Sequence, residues 1–122
     1  MSDKRPGIAI GHISLRVHGL AEHVVFFETL GIRTIATGDE YAVQELRGGT
    51  HLVLRSTQEV DASPVAFDVM VDDVDAWHKK CVEANFLVSE IGRGRIHDSF
   101  EVKTPDRRAL TITSSHAGQR PV

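Results

Sequence analysis

Three stretches of this chain, read at every second position, set reactive side chains on one side of an extended backbone. They are His12, Ser14 and Arg16; His51, Val53 and Arg55; and Ala66, Asp68 and Met70, with Thr111 and Thr113 in a fourth. Imidazole can take or give a proton or ligate a divalent ion. The planar guanidinium fork matches a carboxylate or phosphate. Two histidines, two arginines and an aspartate on one face suit a small polar or anionic ligand. A plainer reading also fits: these residues face solvent or another copy of the chain. His12, Ser14, Arg16, His51, Arg55, Asp68 and Thr111 are therefore the candidate ligand-binding residues, and no residue is singled out as catalytic.

These positions need strands to hold them, and the periodicity supplies them. Ile8–Val17 alternates, with Ile13, Leu15 and Val17 opposite His12, Ser14 and Arg16. Gly19 breaks that strand, and Leu20, Val24, Phe27 and Leu30 then recur at helical spacing, ended by Gly31. Strands near Tyr41–Leu46 and His51–Arg55 follow, turned by "RGGT". Val65–Phe86 repeats Gly11–Ile32 without a gap at a constant offset of 54 residues. Its expected strand is Val65–Val71, its helix cap Asp72 or Asp73, and its buried stripe Val74, Trp77, Cys81 and Ala84. Asn85 stands where Gly31 stood, the next-best residue for a left-handed helix end. Further strands are expected near Leu87–Ile91, Ile96–Val102 and Ala109–Thr113, with "TPDRR" as the turn before the last.

The series "GHISLRV", "VVFFETLGI", "GGTHLVL", "FDVMVDDVDAW" and "TPDRRALTI", in that order and spacing, resembles the vicinal oxygen chelate superfamily. That group includes glyoxalase I, extradiol dioxygenases and the bleomycin- and fosfomycin-resistance proteins. The resemblance implies an α+β fold: two βαβββ modules, about 8–56 and 64–115 of a single domain 1–122, forming a half-open cup of curved sheet with helices outside. It also implies four metal ligands in the metal-dependent members, whose positions fall here on His12, Val53, Ala66 and Thr111. Only the first is retained, and "PDRR" lacks the glycine usual after "PD" in that family.

Two functions follow as expectations. One is a binding protein that holds a small polar or anionic molecule in the cup, with no metal or a weakly held one. The other is a lyase, isomerase or dioxygenase dependent on a divalent ion (zinc, iron, manganese or nickel). For that, His51 and Asp68 would join His12, since each lies two residues from a lost ligand and keeps its face. If the strands were antiparallel neighbours, such diagonal positions would be about 7–8 Å apart.

The remaining signals are exclusions and plain readings. The 122 residues are 41% hydrophobic and 25% charged, with a net charge of −3 and no Lys/Arg run, so no nucleic-acid partner is expected. No apolar run suits a membrane span, and "MSDKRPG" lacks the apolar core of a signal peptide, so a cytoplasmic protein is the expectation. One cysteine excludes an internal disulfide, and Cys81 reads as core. There is no nucleophile-elbow serine and no phosphate loop. His18 and His23 read as solvated and His78 as the edge of the core. His97 has no assignable face, and His116 belongs to a tail that could fold over the rim. A small sheet with open edges also predicts a homodimer whose partner chain closes part of the pocket.

Overall fold

The computed structural model describes residues 4–115 and 117–122, so His116 lies outside the described residues. The first module runs β1 (His12–Val17), α1 (Leu20–Thr29), β2 (Arg33–Thr37), β3 (Tyr41–Glu45) and β4 (His51–Ser56). The second runs β5 (Val69–Val71), α2 (Val74–Glu83), β6 (Ser99–Lys103) and β7 (Ala109–Ser114). The strands form two open sheets, ordered β1-β4-β3-β2 and β5-β7-β6. The first strand of each module runs parallel to the last, and the other pairs are antiparallel. This is the expected α+β architecture.

Alternation does the sorting. Leu15, Val17, Ala42, Leu52 and Leu54 are buried on one face of the first sheet, as are Phe100, Val102, Leu110 and Ile112 on the second. The helices cover these faces, and their buried side chains join one hydrophobic cluster, so the two modules share one core. Phe26 stands edge-on to Phe27 at 5.1 Å and packs on Phe86 of the second module at 4.8 Å. Both helix ends behave as read: Gly31 has φ +99° and Asn85 φ +63°. Asp73 caps α2 by accepting from the Ala76 amide at 3.0 Å.

β1 begins at His12 rather than Ile8, and the expected strands of the second module are trimmed in three places. The regular strand β5 begins at Val69 rather than Val65, although the Val65 amide still donates to the Ala109 carbonyl of β7 at 2.9 Å. Pro64 has no amide hydrogen, and the Ser63 and Pro64 carbonyls are taken by the buried Arg108 guanidinium. Leu87–Ile91 lies beside β6 but makes only an isolated bridge, Val88 to Val102. There the Ser89 hydroxyl accepts from the Glu101 amide and donates to the Glu90 carbonyl, which interrupts the ladder. β6 starts at Ser99 rather than Ile96, because residues 93–98 form a loop closed by Arg93 on Asp98.

Candidate functional site

The polar face of the first sheet is organised in cross-strand rows. His12 is in register with His51, His51 with Glu45, and Glu45 with Arg33. The next row on that face is Ser14, Val53, Val43 and Ala36, and the third is Arg16, Arg55 and Tyr41. β1 and β4 run parallel, so His51 sits directly beside His12, not on the diagonal that an antiparallel pair would give.

The first row is a hydrogen-bonded chain. Arg33 Nε donates to Glu45 Oε1 at 2.8 Å, and its Nη2 bonds the same oxygen. Glu45 Oε2 lies 2.9 Å from His51 Nε2. The Arg33 guanidinium first, and His51 second, hold the Glu45 carboxyl below the usual carboxylate range. A carboxylate accepts, so His51 carries hydrogen on Nε2 and a neutral ring keeps its Nδ1 lone pair. The His12 ring meets His51 edge-on, 5.7 Å between centroids.

The third row sets two like charges side by side. Among the described residues, neither Arg16 nor Arg55 is paired with a carboxylate, whereas Arg33, Arg47, Arg93 and Arg108 all are. Ser14 and Arg16 also line a cavity of about 250 Å³ at the edge of β1, with Thr57, Glu59, Asp61, Ala66 and Arg108. Arg108 is only 6% exposed and is consumed structurally. It donates to the carbonyls of Ser63 (2.9 Å), Pro64 (3.3 Å) and Arg16 (3.4 Å), which ties the inter-module segment to β1.

The candidate residues thus divide. His12, Ser14, Arg16, His51 and Arg55 share one face of the first sheet. Thr111 lies on the second sheet in register with Glu101, and Asp68 is exposed just ahead of β5. The donor set does not fit the four-ligand metal site of the family resembled: valine and alanine offer no donor atom at positions 53 and 66. Among the described residues no three His, Cys, Asp or Glu side chains are grouped to hold an ion, so Asp68 does not complete a set with His12 and His51.

Other readings are settled side chain by side chain. Cys81 is fully buried and burial pushes its thiol up, as suits packing. His78 stands edge-on to Phe100 and bonds the Ser89 carbonyl, and His97 is exposed in the 93–98 loop. His18 is exposed, as read. His23 is not solvated, contrary to its sequence reading: it is 0% exposed, with Nδ1 2.7 Å from the Gly19 carbonyl and Nε2 3.0 Å from Asp106. Its helix turns that face onto the second module, which helical spacing within one module could not reveal. Sequence reasoning also passed over Glu45 and Arg33. Parity along β3 carried a signal for Glu45, which alternates with buried Ala42 and Gln44.

No protein-family model matches this sequence, and no curated protein matches it. Solved structures do. A lactoylglutathione lyase from Agrobacterium tumefaciens is 16% identical, with a TM-score of 0.78 over 95% of this chain and 100% of that one. The fosfomycin resistance protein FosX of Listeria monocytogenes is 12% identical, with a TM-score of 0.75 over 93% and 98%. A glyoxalase/bleomycin resistance protein/dioxygenase from Alicyclobacillus acidocaldarius is 17% identical, with a TM-score of 0.70 over 91% and 93%. Across nearly its whole length, the chain has the vicinal oxygen chelate fold.

Proposed function

We propose that this vicinal oxygen chelate fold binds a small anionic molecule on the polar face of its first sheet, without a metal or with one held only weakly. The observation that carries this is the pair Arg16 and Arg55, in register, exposed and without a carboxylate partner among the described residues. An anion bridging two such groups relieves their repulsion and gains charge-assisted hydrogen bonds. The rows also suggest the ligand's length. His12 and His51 precede the arginines by four residues, roughly 13 Å at ~3.3 Å per strand residue. Val43 and Val53 lie between them. An anionic end, an apolar middle and a hydrogen-bonding far end match that layout. Thr111 and Asp68 would reach the ligand only from the second sheet.

Calorimetry with a panel of carboxylates and phosphates tests the reading. Arg16→Ala or Arg55→Ala should weaken the best anion by about 1.5–3 kcal/mol, the scale of a hydrogen bond to a charged group. Unchanged affinity in both variants would refute it.

A second reading, an enzyme acting on the bound molecule, is favoured by the Glu45–His51 pair. A carboxylate that fixes the tautomer of an imidazole leaves Nδ1 as a proton acceptor beside the ligand. Under this reading Glu45→Gln should abolish turnover of a substrate yet leave anion affinity intact. Equal loss of both would reduce Glu45 to a structural role.

A further inference from the structure

The 54-residue repeat gives the module interface two comparable ends, and they are finished differently. At one end the turn between β6 and β7 reaches the start of α1, where Asp106 meets the His18 amide and the His23 ring. At the other the turn between β3 and β4 reaches the start of α2, where Arg47 meets Asp72 at 3.0 Å. The offset lays Asp72 on His18, Asp73 on Gly19 and Trp77 on His23. The first end is packed solid around a histidine and an aspartate whose side chains are 0% and 5% exposed. The second holds a cleft of about 320 Å³ walled by Leu30, Leu46, Val69, Val71, Trp77 and Ile112.

We propose that this cleft binds a small uncharged molecule built on one ring or two fused rings, laid against Trp77. Its volume is at the small end of the ~300–1,000 Å³ range of ligand pockets. Its apolar walls offer little to compensate a polar group for lost water. The charges at its mouth are already matched: Arg47 pairs with Asp72, and the Asp73 carboxylate caps α2. Lys80 lies 4.4 Å from the Trp77 ring centre, where the indole itself answers its charge. Gly31 leaves the indole edge clear, since a Cβ there would stand 3.1 Å from Cη2. The Arg47 and Asp72 side chains are 66% and 78% exposed, so their ion pair is water-screened and parts at little cost to admit a guest. The cleft is on the helix side of the sheets and does not depend on the reading of the polar face.

Trp77 is the only tryptophan in the chain, so its fluorescence reports on this cleft. The test is titration of the full chain with bromobenzene, an uncharged ring carrying a heavy-atom quencher, and with 4-bromobenzoate as its charged counterpart. Bromobenzene should quench saturably, and 4-bromobenzoate should bind about tenfold more weakly because its carboxylate cannot be buried. Val71→Phe, which fills the cleft, should weaken bromobenzene about tenfold or more, while Arg16→Ala should leave it unchanged. If circular dichroism shows that Val71→Phe has lost its fold, Ile32→Phe fills the same space and carries the test. Quenching that rises linearly without saturating, survives the folded cleft-filling variant or is stronger with 4-bromobenzoate overturns the proposal.

Discussion

Asp106→Ala should lower folding stability by about 3–5 kcal/mol, the cost of leaving a buried polar group without its charged partner. Asp106 Oδ1 lies 3.0 Å from His23 Nε2 and accepts from Thr104 Oγ1 at 2.6 Å, while Oδ2 accepts from the His18 amide at 3.3 Å. The other His23 nitrogen lies 2.7 Å from the Gly19 carbonyl. A carbonyl and a carboxylate both only accept, so both bonds stand only with hydrogen on both ring nitrogens. Alanine would strand one of those donors in the interface between modules. Asp106→Asn keeps the shape and one acceptor, and should cost less, about 1.5–3 kcal/mol. Burial alone would push the Asp106 carboxyl up, but the hydrogen bonds from Thr104 and His18 and the proximity of His23 outweigh it and hold the group below its usual range. Its stabilisation is therefore complete above the ordinary aspartate pKa of ~3.9 and is lost as pH falls through the lowered folded value. Urea unfolding at pH 7 and at steps into acid gives the measurement. The natural chain should lose stability more steeply than Asp106→Asn, which cannot titrate at that position, and other carboxylates contribute equally to both. A loss below about 1 kcal/mol in Asp106→Ala, against the 3–5 expected, or parallel acid curves for the natural chain and Asp106→Asn, would refute the reasoning.

Three further outcomes are expected. Gly31→Ala should cost about 1–2 kcal/mol in urea unfolding, because it combines a left-handed backbone with a crowded Trp77 edge; a neutral result would mean that the helix end adjusts freely. Calorimetry with zinc, nickel, manganese and iron(II), backed by elemental analysis, should find no ion bound tighter than about 1 µM, since two imidazoles make an incomplete set. A stoichiometric ion below that level would sink the weak-metal reading, and one that survived His51→Ala would remove His51 as a ligand. Light scattering at roughly tens of micromolar should give a homodimer, as expected for a small open sheet; a monomer would count against closure of the polar face by a partner chain.

Much of the fold was legible because it rests on local rules. Period-two alternation marked β1 and β4, helical spacing marked α1 and α2, and Gly31 and Asn85 marked the ends of the helices. Strand ends were legible only approximately. The segment ahead of β5 is held by a guanidinium 44 residues away (Arg108 on Pro64), and the break at Ser89 comes from a hydroxyl bonding 12 residues away (Ser89 on Glu101), neither visible in a short window. The candidate site was half legible. Parity placed His12, Ser14, Arg16, His51 and Arg55 on one face, while the assembly of Asp68 with them was not realised.

The sequence by itself determined which residues line each face of β1 and β4, because the strand period is a property of neighbouring positions. It also determined that Val53 and Ala66, two positions where the family resemblance implies metal ligands, have no side-chain donor atom. Only the tertiary structure decided partners. It set His51 beside His12 through a parallel register, bound His51 to Glu45 and Glu45 to Arg33, buried His23 against Asp106, and left an apolar cleft at Trp77. Each of these joins segments that are distant in the chain or set by register. Pairings of that kind depend on the geometry of the whole fold, which no local pattern of side chains encodes.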